Sequence, residues 1–346
     1  MNKGMMGRML CTALAVILAA VTTIGTAARL LPIGMSTMPY VPNIVAATPW
    51  FALTAALALL FALLGRRRLI IVLMVACLGA QAYWQGPFFS SVVGVGSAGS
   101  SNSAGSGSGS GSASSDTSKS TSTLRVMTCN VYKGRADAEQ IVRLVRDEHV
   151  QVLALQETTS AFVDELNKAG IADYLPYAKT ASADGKYGNG VWSSTPLADP
   201  VKDEVNSSAS FMPAGTVSLS NGKALRFVSV HTTSPVNRYW NLWKRSIDEI
   251  GALDSRSNTT YVFMGDFNAT YDHAPFRDML GDRFTDAARQ AGHGFTFSWP
   301  SDRPYLPMMF SIDHIVLDKG LVASDLKNVK VDGTDHAALL GTIRMS

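Results

Sequence analysis

Eight polar residues stand where apolar runs of the chain stop or start. Asn130 closes LRVMTCN, Glu157 follows Gln156 at the end of QVLALQE, and His231 closes ALRFVSVH. Asp266 and Asn268 lie in the GDFN that ends TYVFMGDFN. Asp313 stands at the start of SIDHIVLD, and Asp335-His336 immediately precede AALLGTIRM. Polar groups at strand ends, on loops carried by a rigid sheet, are where α/β proteins build sites. Carboxylates, amides and two histidines suit one hard divalent cation with oxygen ligands, plus a base that activates water. The chain offers no Ser or Cys in a nucleophile elbow and no phosphate-cradling Gly-rich loop, so those chemistries are set aside.

The elements that must position these groups follow from periodicity. The apolar runs read as buried strands, and AEQIVRLVRDEHV reads as an amphipathic helix with apolar positions 141, 142, 144, 145 and 150. NRYWNLWKRSIDEIGAL reads as a second helix. Strands interleaved with helices argue an α/β (α+β) class rather than all-β. The 223 residues from Leu124 onward can bury a full core without disulfides. Cys11, Cys77 and Cys129 are too few and too scattered for a disulfide framework or a zinc site.

Charge divides the 346 residues unevenly. The first 123 hold seven Lys/Arg against one acid, Asp116, while the remainder holds 23 against 26 and is net −3. A mildly acidic domain has no electrostatic footprint for tight, non-specific nucleic-acid binding. The amino-terminal part contains three apolar stretches, Met9–Ala28, Ile44–Leu64 and Leu69–Trp84, the last extendable to Phe89. Each is read as a membrane span, and the first as a retained anchor rather than a cleaved signal peptide. Trp50 and Phe51, and Tyr83, Trp84, Phe88 and Phe89, have the make-up of interfacial aromatic belts. Lys3 and Arg8 precede the first span and Arg66-Arg67-Arg68 separate the second from the third, whereas the intervening loop has only Arg29. The positive-inside rule then predicts a multi-pass cell-membrane protein with a cytoplasmic amino terminus and an extracytoplasmic carboxy-terminal domain. The expected organisation is a membrane domain over 1–93, a Gly/Ser-rich linker over 94–123, and a globular domain over 124–346. The linker composition predicts a flexible tether that lets the domain work near the membrane without docking on it.

The ordered motifs TCN, LQE, SVH, GDFN, IDHI and TDHA resemble those of the endonuclease/exonuclease/phosphatase family, over nearly all of 124–346 and nowhere in 1–123. Each motif alone is weak, and the six in order are specific. The resemblance implies a four-layer sandwich of two β-sheets flanked by helices, here preceded by three transmembrane helices. It also implies roles: Glu157 as principal Mg²⁺ ligand (Mn²⁺ as the alternative ion), with Asn130 beside it and Asp335 completing the set. His336 would be the general base or the protonated partner of the phosphate, oriented by Asp313. Asp266 would position or deprotonate the attacking water, Asn268 would hold that water or the phosphate, and His231 would bond a phosphoryl oxygen. Phosphoester hydrolysis needs such a set: an in-line water, a metal on the phosphate oxygens, and neutralised charge.

Plainer readings exist for each residue alone. Asn130 and Asn268 are ordinary turn formers, Asp313 could cap a strand, His231 could be a core histidine, and Gly333 before Asp335 marks a turn. Met308-Met309-Phe310 is read as core or pocket wall. Departures from the family pattern are mild: Thr334 stands where Ser is common and keeps the hydroxyl, and Ser311 replaces a common Arg. The substrate stays open between nucleic acid, a phospholipid headgroup (a phospholipid or sphingomyelin phosphodiesterase) and a small phosphodiester, with Arg238 or Arg245 as candidate phosphate partners. The rival from another class is a non-catalytic surface binding domain on the same fold.

Overall fold

The computed structural model describes residues 3–90, 123–199, 205, 207–220 and 222–345. The linker expected over 94–123 therefore falls almost wholly outside the described residues. Helix α1 (Lys3–Arg29) is followed by the short α2 (Val41–Ala46), then α3 (Phe51–Gly65) and α4 (Arg68–Gln85). Three helical segments, Gly4–Arg29, Thr48–Gly65 and Arg68–Phe89, are long and apolar enough to cross a membrane. The second begins at Thr48 and not at Ile44, because Pro49 cannot continue α2 and starts a new turn. The helices pack through small residues: Ala19, Ala55 and Ala58 are buried together, Thr22 bonds Thr54 at 2.8 Å, and a methyl group on Gly25 would collide with the Phe51 ring.

The remaining elements are β1 (Thr123–Asn130), α5 (Ala138–Asp147), β2 (Val152–Gln156), α6 (Ser160–Lys168), β3 (Tyr177–Ala181) and β4 (Asn189–Ser193). Then come β5 (Leu197–Ala198), β6 (Ala214–Ser218), β7 (Ala224–His231), α7 (Trp240–Gly251), β8 (Tyr261–Asp266) and α8 (Ala274–Leu280). The last are β9 (Phe284–Asp286), α9 (Ala287–Ala291), β10 (Asp313–Asp318), β11 (Leu321–Lys330) and β12 (Ala337–Met345). They form two six-stranded mixed sheets, ordered β11-β12-β1-β2-β4-β3 and β5-β6-β7-β8-β10-β9.

Strand periodicity explains the layers. Along β1 and β2, Val126, Val152 and Ala154 face the second sheet, while the alternate Met127, Leu153 and Leu155 pack against Ile141 of α5 and Phe162 of α6. Along β8, Val262 and Met264 face the first sheet, and Tyr261 and Phe263 pack with Trp243 and Ile247 of α7. Helix, sheet, sheet and helix thus stack as the expected four-layer sandwich. Gln156 obeys the same parity: it is fully buried between the sheets and its amide donates to Thr128 Oγ1 (3.1 Å) and Ser229 Oγ (3.0 Å). It stitches the sheets together directly beneath Glu157.

The sandwich is docked on the helix ends, contrary to a tether that keeps it undocked. Arg29 at the end of α1 pairs with Asp272 at 2.5 Å and lies 4.1 Å from the Trp84 ring centroid. Gln85 Nε2 donates to both Asp272 oxygens at 3.2 Å. Trp50 Nε1 donates to the Met309 carbonyl (2.9 Å), and Arg289 donates to the Trp84 carbonyl (2.9 Å). The expected aromatic belt is largely spent on packing: Trp50 stacks on Phe297, Phe88 is buried against Tyr271 and Phe295, Phe89 meets Phe295 edge-on while still largely exposed, and Phe51 is buried against Gly25 within the helix bundle, leaving Tyr83 exposed.

Candidate active site

Sheet register brings the chemistry to one end of the sandwich. β1 and β2 run parallel with Asn130 opposite Gln156, so Glu157 emerges one residue past the strand. β7 and β8 run parallel with His231 opposite Asp266, and β10 runs antiparallel to β8 with Asp313 opposite Asp266. The turn before β12 then delivers Asp335 and His336. Gly265 is required beside Asp266, because its backbone sits at φ 149° and a Cβ there would strike the Val230 carbonyl.

Two site residues hold left-handed backbone, Glu157 at φ 60° and Asn268 at φ 46°. Such conformations cost a non-glycine residue free energy and are kept where the surroundings enforce them. For Glu157 the enforcing partner is Asn189, whose Oδ1 accepts the Glu157 N–H at 3.2 Å. Asn268 is braced by its own turn: its N–H donates to Asp266 Oδ1 (2.7 Å), and its amide donates to the Thr232 carbonyl (3.0 Å) and Asp266 Oδ2 (3.2 Å). The turn-former reading of Asn268 is therefore correct locally, and the turn is the one that aims Asp266.

His336 Nδ1 lies 2.8 Å from Asp313 Oδ2, and its Nε2 lies 3.8 Å from Asp266 Oδ2. Asp313 is completely buried, and its backbone N–H donates to Ser298 Oγ at 3.3 Å. Burial by itself disfavours the imidazolium, but the Asp313 and Asp266 charges and the Asp313 hydrogen bond outweigh it and raise His336 to about 10. Burial would raise Asp313 too, yet the His336 charge and hydrogen bond win and hold its carboxyl below the usual range. Asp266 goes the other way: desolvation, reinforced by Asp313 and only partly offset by His336, pushes it up to about 7. His231 Nε2 sits 3.7 Å from both Glu157 Oε1 and Asp266 Oδ2, and desolvation, with the His336 charge, depresses it to about 3. Its Nδ1 is buried without a hydrogen-bond partner, so it is not a satisfied core histidine.

A hard cation fits the donor set. Glu157 Oε2 and Asp335 Oδ1 are buried without a hydrogen-bond partner, an arrangement that costs free energy unless a cation compensates. Desolvation also raises the Glu157 carboxyl, as expected for an acid poised without its counter-charge. A second grouping, Asp266, Asp313 and His336, brings one ligand atom each within 4.8 Å and is a further possible metal site. Asn130 stands beside Glu157 and Asp266. Its Oδ1 accepts the Tyr132 N–H (2.9 Å), which fixes the amide orientation and turns the NH₂ toward Asp266 Oδ2 (3.1 Å) and Glu157 Oε1 (3.4 Å). Asn130 thus bridges the carboxylates.

These groups line a cleft of about 410 Å³ that holds Glu157, Asp266, Asn268, Asp335 and His336. Phe310 forms part of its wall, as expected for the Met-Met-Phe run. Among the described lining residues the lysines are Lys133 and Lys186, beside His336. Arg238 and Arg245 do not reach it, since both lie exposed at or on α7, where Arg245 pairs with Glu249 one turn on. Four supporting residues escaped the sequence reading. Asn189 sits in a Gly-rich stretch that looks like a loop. Ser298 and Trp299, whose Nε1 donates to Asp335 Oδ2 at 3.0 Å, lie outside any apolar run. His314 is bonded to Asp286 Oδ2 at 2.7 Å and the Ala269 carbonyl at 2.8 Å, and its place in IDHI was the one available signal.

Two stacked mixed sheets with helices outside, and an acid- and histidine-rich cleft at one end, define a sandwich built for chemistry on phosphoesters. The model of the Endonuclease/Exonuclease/phosphatase family matches residues 127–336, more than half of the chain, and the chain belongs to that family. Its members are divalent-metal-dependent hydrolases of phosphoester bonds. Among solved structures, TDP2 of D. rerio in complex with a single-strand DNA product is similar at 19% identity and TM-score 0.53, over 64% of this chain and 99% of that one. A family protein of Bacteroides thetaiotaomicron is similar at 12% identity and TM-score 0.51, over 65% and 99%. Another from Bacteroides vulgatus is similar at 15% identity and TM-score 0.51, over 65% and 100%. At these identities the likeness establishes the fold. No curated protein sequence matches the chain.

Proposed function

We propose that the chain is a membrane-anchored, extracytoplasmic, Mg²⁺-dependent phosphoester hydrolase, organised as a membrane domain over 1–93, a linker over 94–123 and a catalytic domain over 124–346. One observation carries the activity: the Asp313–His336 pair, 2.8 Å apart, faces Asp266 in the same cleft as the orphaned oxygens of Glu157 and Asp335. The cation belongs on Glu157 and Asp335. The Asp266–Asp313–His336 group already neutralises itself, with an imidazolium between two carboxylates, and gains less from a metal. Bound there, Mg²⁺ would polarise the phosphoryl oxygens and spread their charge.

The side chains divide the remaining work. Asp266, raised to about 7, is matched to take a proton from water near neutral pH. The water oxygen bonds phosphorus, the ester P–O bond breaks, and its electron pair leaves on the ester oxygen, which takes a proton from solvent at the cleft mouth. His336, held protonated by Asp313, meets the charge that develops on the phosphoryl group, and neutral His231 donates to it. Outside placement is supported by the basic residues. Arg67 donates to Thr12 Oγ1 at 3.1 Å, so the Arg66–Arg68 turn lies beside the first part of α1, at the end of the bundle away from the catalytic domain.

The test is hydrolysis by the full chain in detergent, with Mg²⁺, of bis-p-nitrophenyl phosphate, DNA, RNA and phospholipids. Turnover of at least one is expected. Glu157→Gln, which keeps shape and removes the charge, should lower it at least a hundredfold and raise the Mg²⁺ needed. No turnover on any of these would favour the binding-domain reading, and an unchanged Mg²⁺ requirement would remove Glu157 from the metal.

A further inference from the structure

The catalytic cleft has a wall that the catalytic domain does not supply. Pro42, Asn43 and Ala46 of α2, between the first and second apolar helices, line the same cleft as Glu157, Asp266 and His336. The wall is fixed in place. The Pro42 carbonyl accepts from His273 Nε2 at 2.8 Å, while His273 Nδ1 accepts the Thr270 N–H at 2.8 Å, which sets the ring in its Nε2–H tautomer. Behind it lies the buried Arg29–Asp272 pair, with Asp272 2% exposed. All three long helices meet the domain at the same end of the bundle, through Arg29, Trp50 and Trp84. The cleft therefore opens at the level where the helices would leave a bilayer.

Its chemistry is two-sided. The acids and histidines sit on one side with Lys133 and Lys186, and Ala46, Val236, Trp299 and Phe310 present an apolar flank. A strand of nucleic acid calls for a basic track along its backbone. A phosphate attached to an apolar stem calls for this combination. Resting on the hydrolase reading above, we propose that α2 is a substrate-binding wall and that the site takes a phosphoester carried by a bilayer-anchored amphiphile. The headgroup phosphate reaches Asp266 and His336 while the stem runs along α2 and Phe310 toward the membrane. The hydrolytic step is the one already described, with water bonding phosphorus and the ester oxygen leaving.

The experiment uses the full chain reconstituted in vesicles of phosphatidylcholine, phosphatidylglycerol and sphingomyelin. Release of headgroup or phosphate is measured beside hydrolysis of bis-p-nitrophenyl phosphate and single-stranded DNA. The wild-type chain should turn over at least one vesicle lipid. Asn43→Trp and Ala46→Trp, which crowd the wall, should lower the ratio of lipid to bis-p-nitrophenyl phosphate kcat/KM at least tenfold, and His336→Ala should abolish both activities. Asn43 is exposed, so its variant keeps the test open if Ala46→Trp does not fold. Hydrolysis of the soluble diester with no lipid cleaved, faster cleavage of DNA than of any lipid, or ratios unchanged within twofold would each overturn the lipid wall and leave the hydrolase reading standing. Absence of turnover on every probe would overturn the hydrolase reading, and this inference with it.

Discussion

Replacing Asp313 with Ala removes the oxygen 2.8 Å from His336 Nδ1 in a buried pair of which only His336 reaches the cleft. Two opposing effects set the ring's charge in the intact protein: burial favours neutral imidazole, and the carboxylates outweigh it to give about 10. Without Asp313, burial faces the more distant Asp266, at 3.8 Å and itself half neutral near pH 7, and Asp335, at 4.0 Å, whose charge the proposed cation would take up. The imidazolium is then lost at neutral pH, and with it the positive charge that meets the phosphoryl group. A positioned acid–base group is worth about 10²–10⁴ in rate, or about 3–5 kcal/mol of barrier. Asp313→Ala and His336→Ala should each cost that much kcat on bis-p-nitrophenyl phosphate. The double variant should lie within about tenfold of the worse single, because groups acting as one unit are not additive. Removing one partner of a buried pair also costs about 3–5 kcal/mol of stability, so thermal unfolding is followed alongside. Asp313→Asn, which keeps the shape, should fold better and show a basic limb in its pH–rate profile below that of the wild type. Losses that multiply across the cycle, or an Asn variant with an unmoved profile, would refute the pair.

Two further outcomes are expected. In intact cells a protease added outside should cleave a site engineered after residue 90, and protection there would overturn the orientation. His314 is buried between Asp286 and the Ala269 carbonyl; burial opposes its charge, but the Asp286 hydrogen bond and charge prevail and its pKa lies above 6.5. A raised folded-state pKa gives stability that is complete below about 6.5 and lost as pH rises through the folded value. Thermal unfolding of the wild type should therefore fall with pH across that window, and His314→Gln should flatten the dependence; parallel curves would show the pair to be silent.

The legible part of the fold was the part that is apolar for a stated reason. β1, β2, β7, β8 and β10 are covered on both faces, so their sequences are continuous apolar runs, and the catalytic groups mark where those runs end. β4 is just as buried but reads NGVWS, because Asn189 and Ser193 spend their polar atoms inside: Asn189 donates to the Phe211 carbonyl at 2.6 Å and accepts from Glu157. Hydropathy does not see a polar group whose partner is far along the chain. The same limit hid Trp299 and Ser298, which reach the site from a segment with little regular structure. It hid the docking as well, since Trp50 and Phe88 have the composition of residues facing lipid headgroups and only tertiary contact shows them on Phe297 and Tyr271.

The loop after β8 joins the two halves of the molecule. It begins with Asp266 and Asn268 in the cleft, passes Ala269, whose carbonyl is held by His314, and ends at Asp272 and His273, which grip Arg29, Gln85 and Pro42. A buried ion pair is a poor source of stability, because desolvating both charges offsets most of their attraction. Its physical value here is selectivity. Any other seating of the helices on the sandwich would leave Asp272 or Arg29 buried and unpaired, at a cost of several kcal/mol, whereas sliding apolar surfaces past one another costs little. The pair therefore fixes where α2 stands relative to Asp266, and the few residues between Asn268 and Asp272 carry that position directly into the catalytic turn.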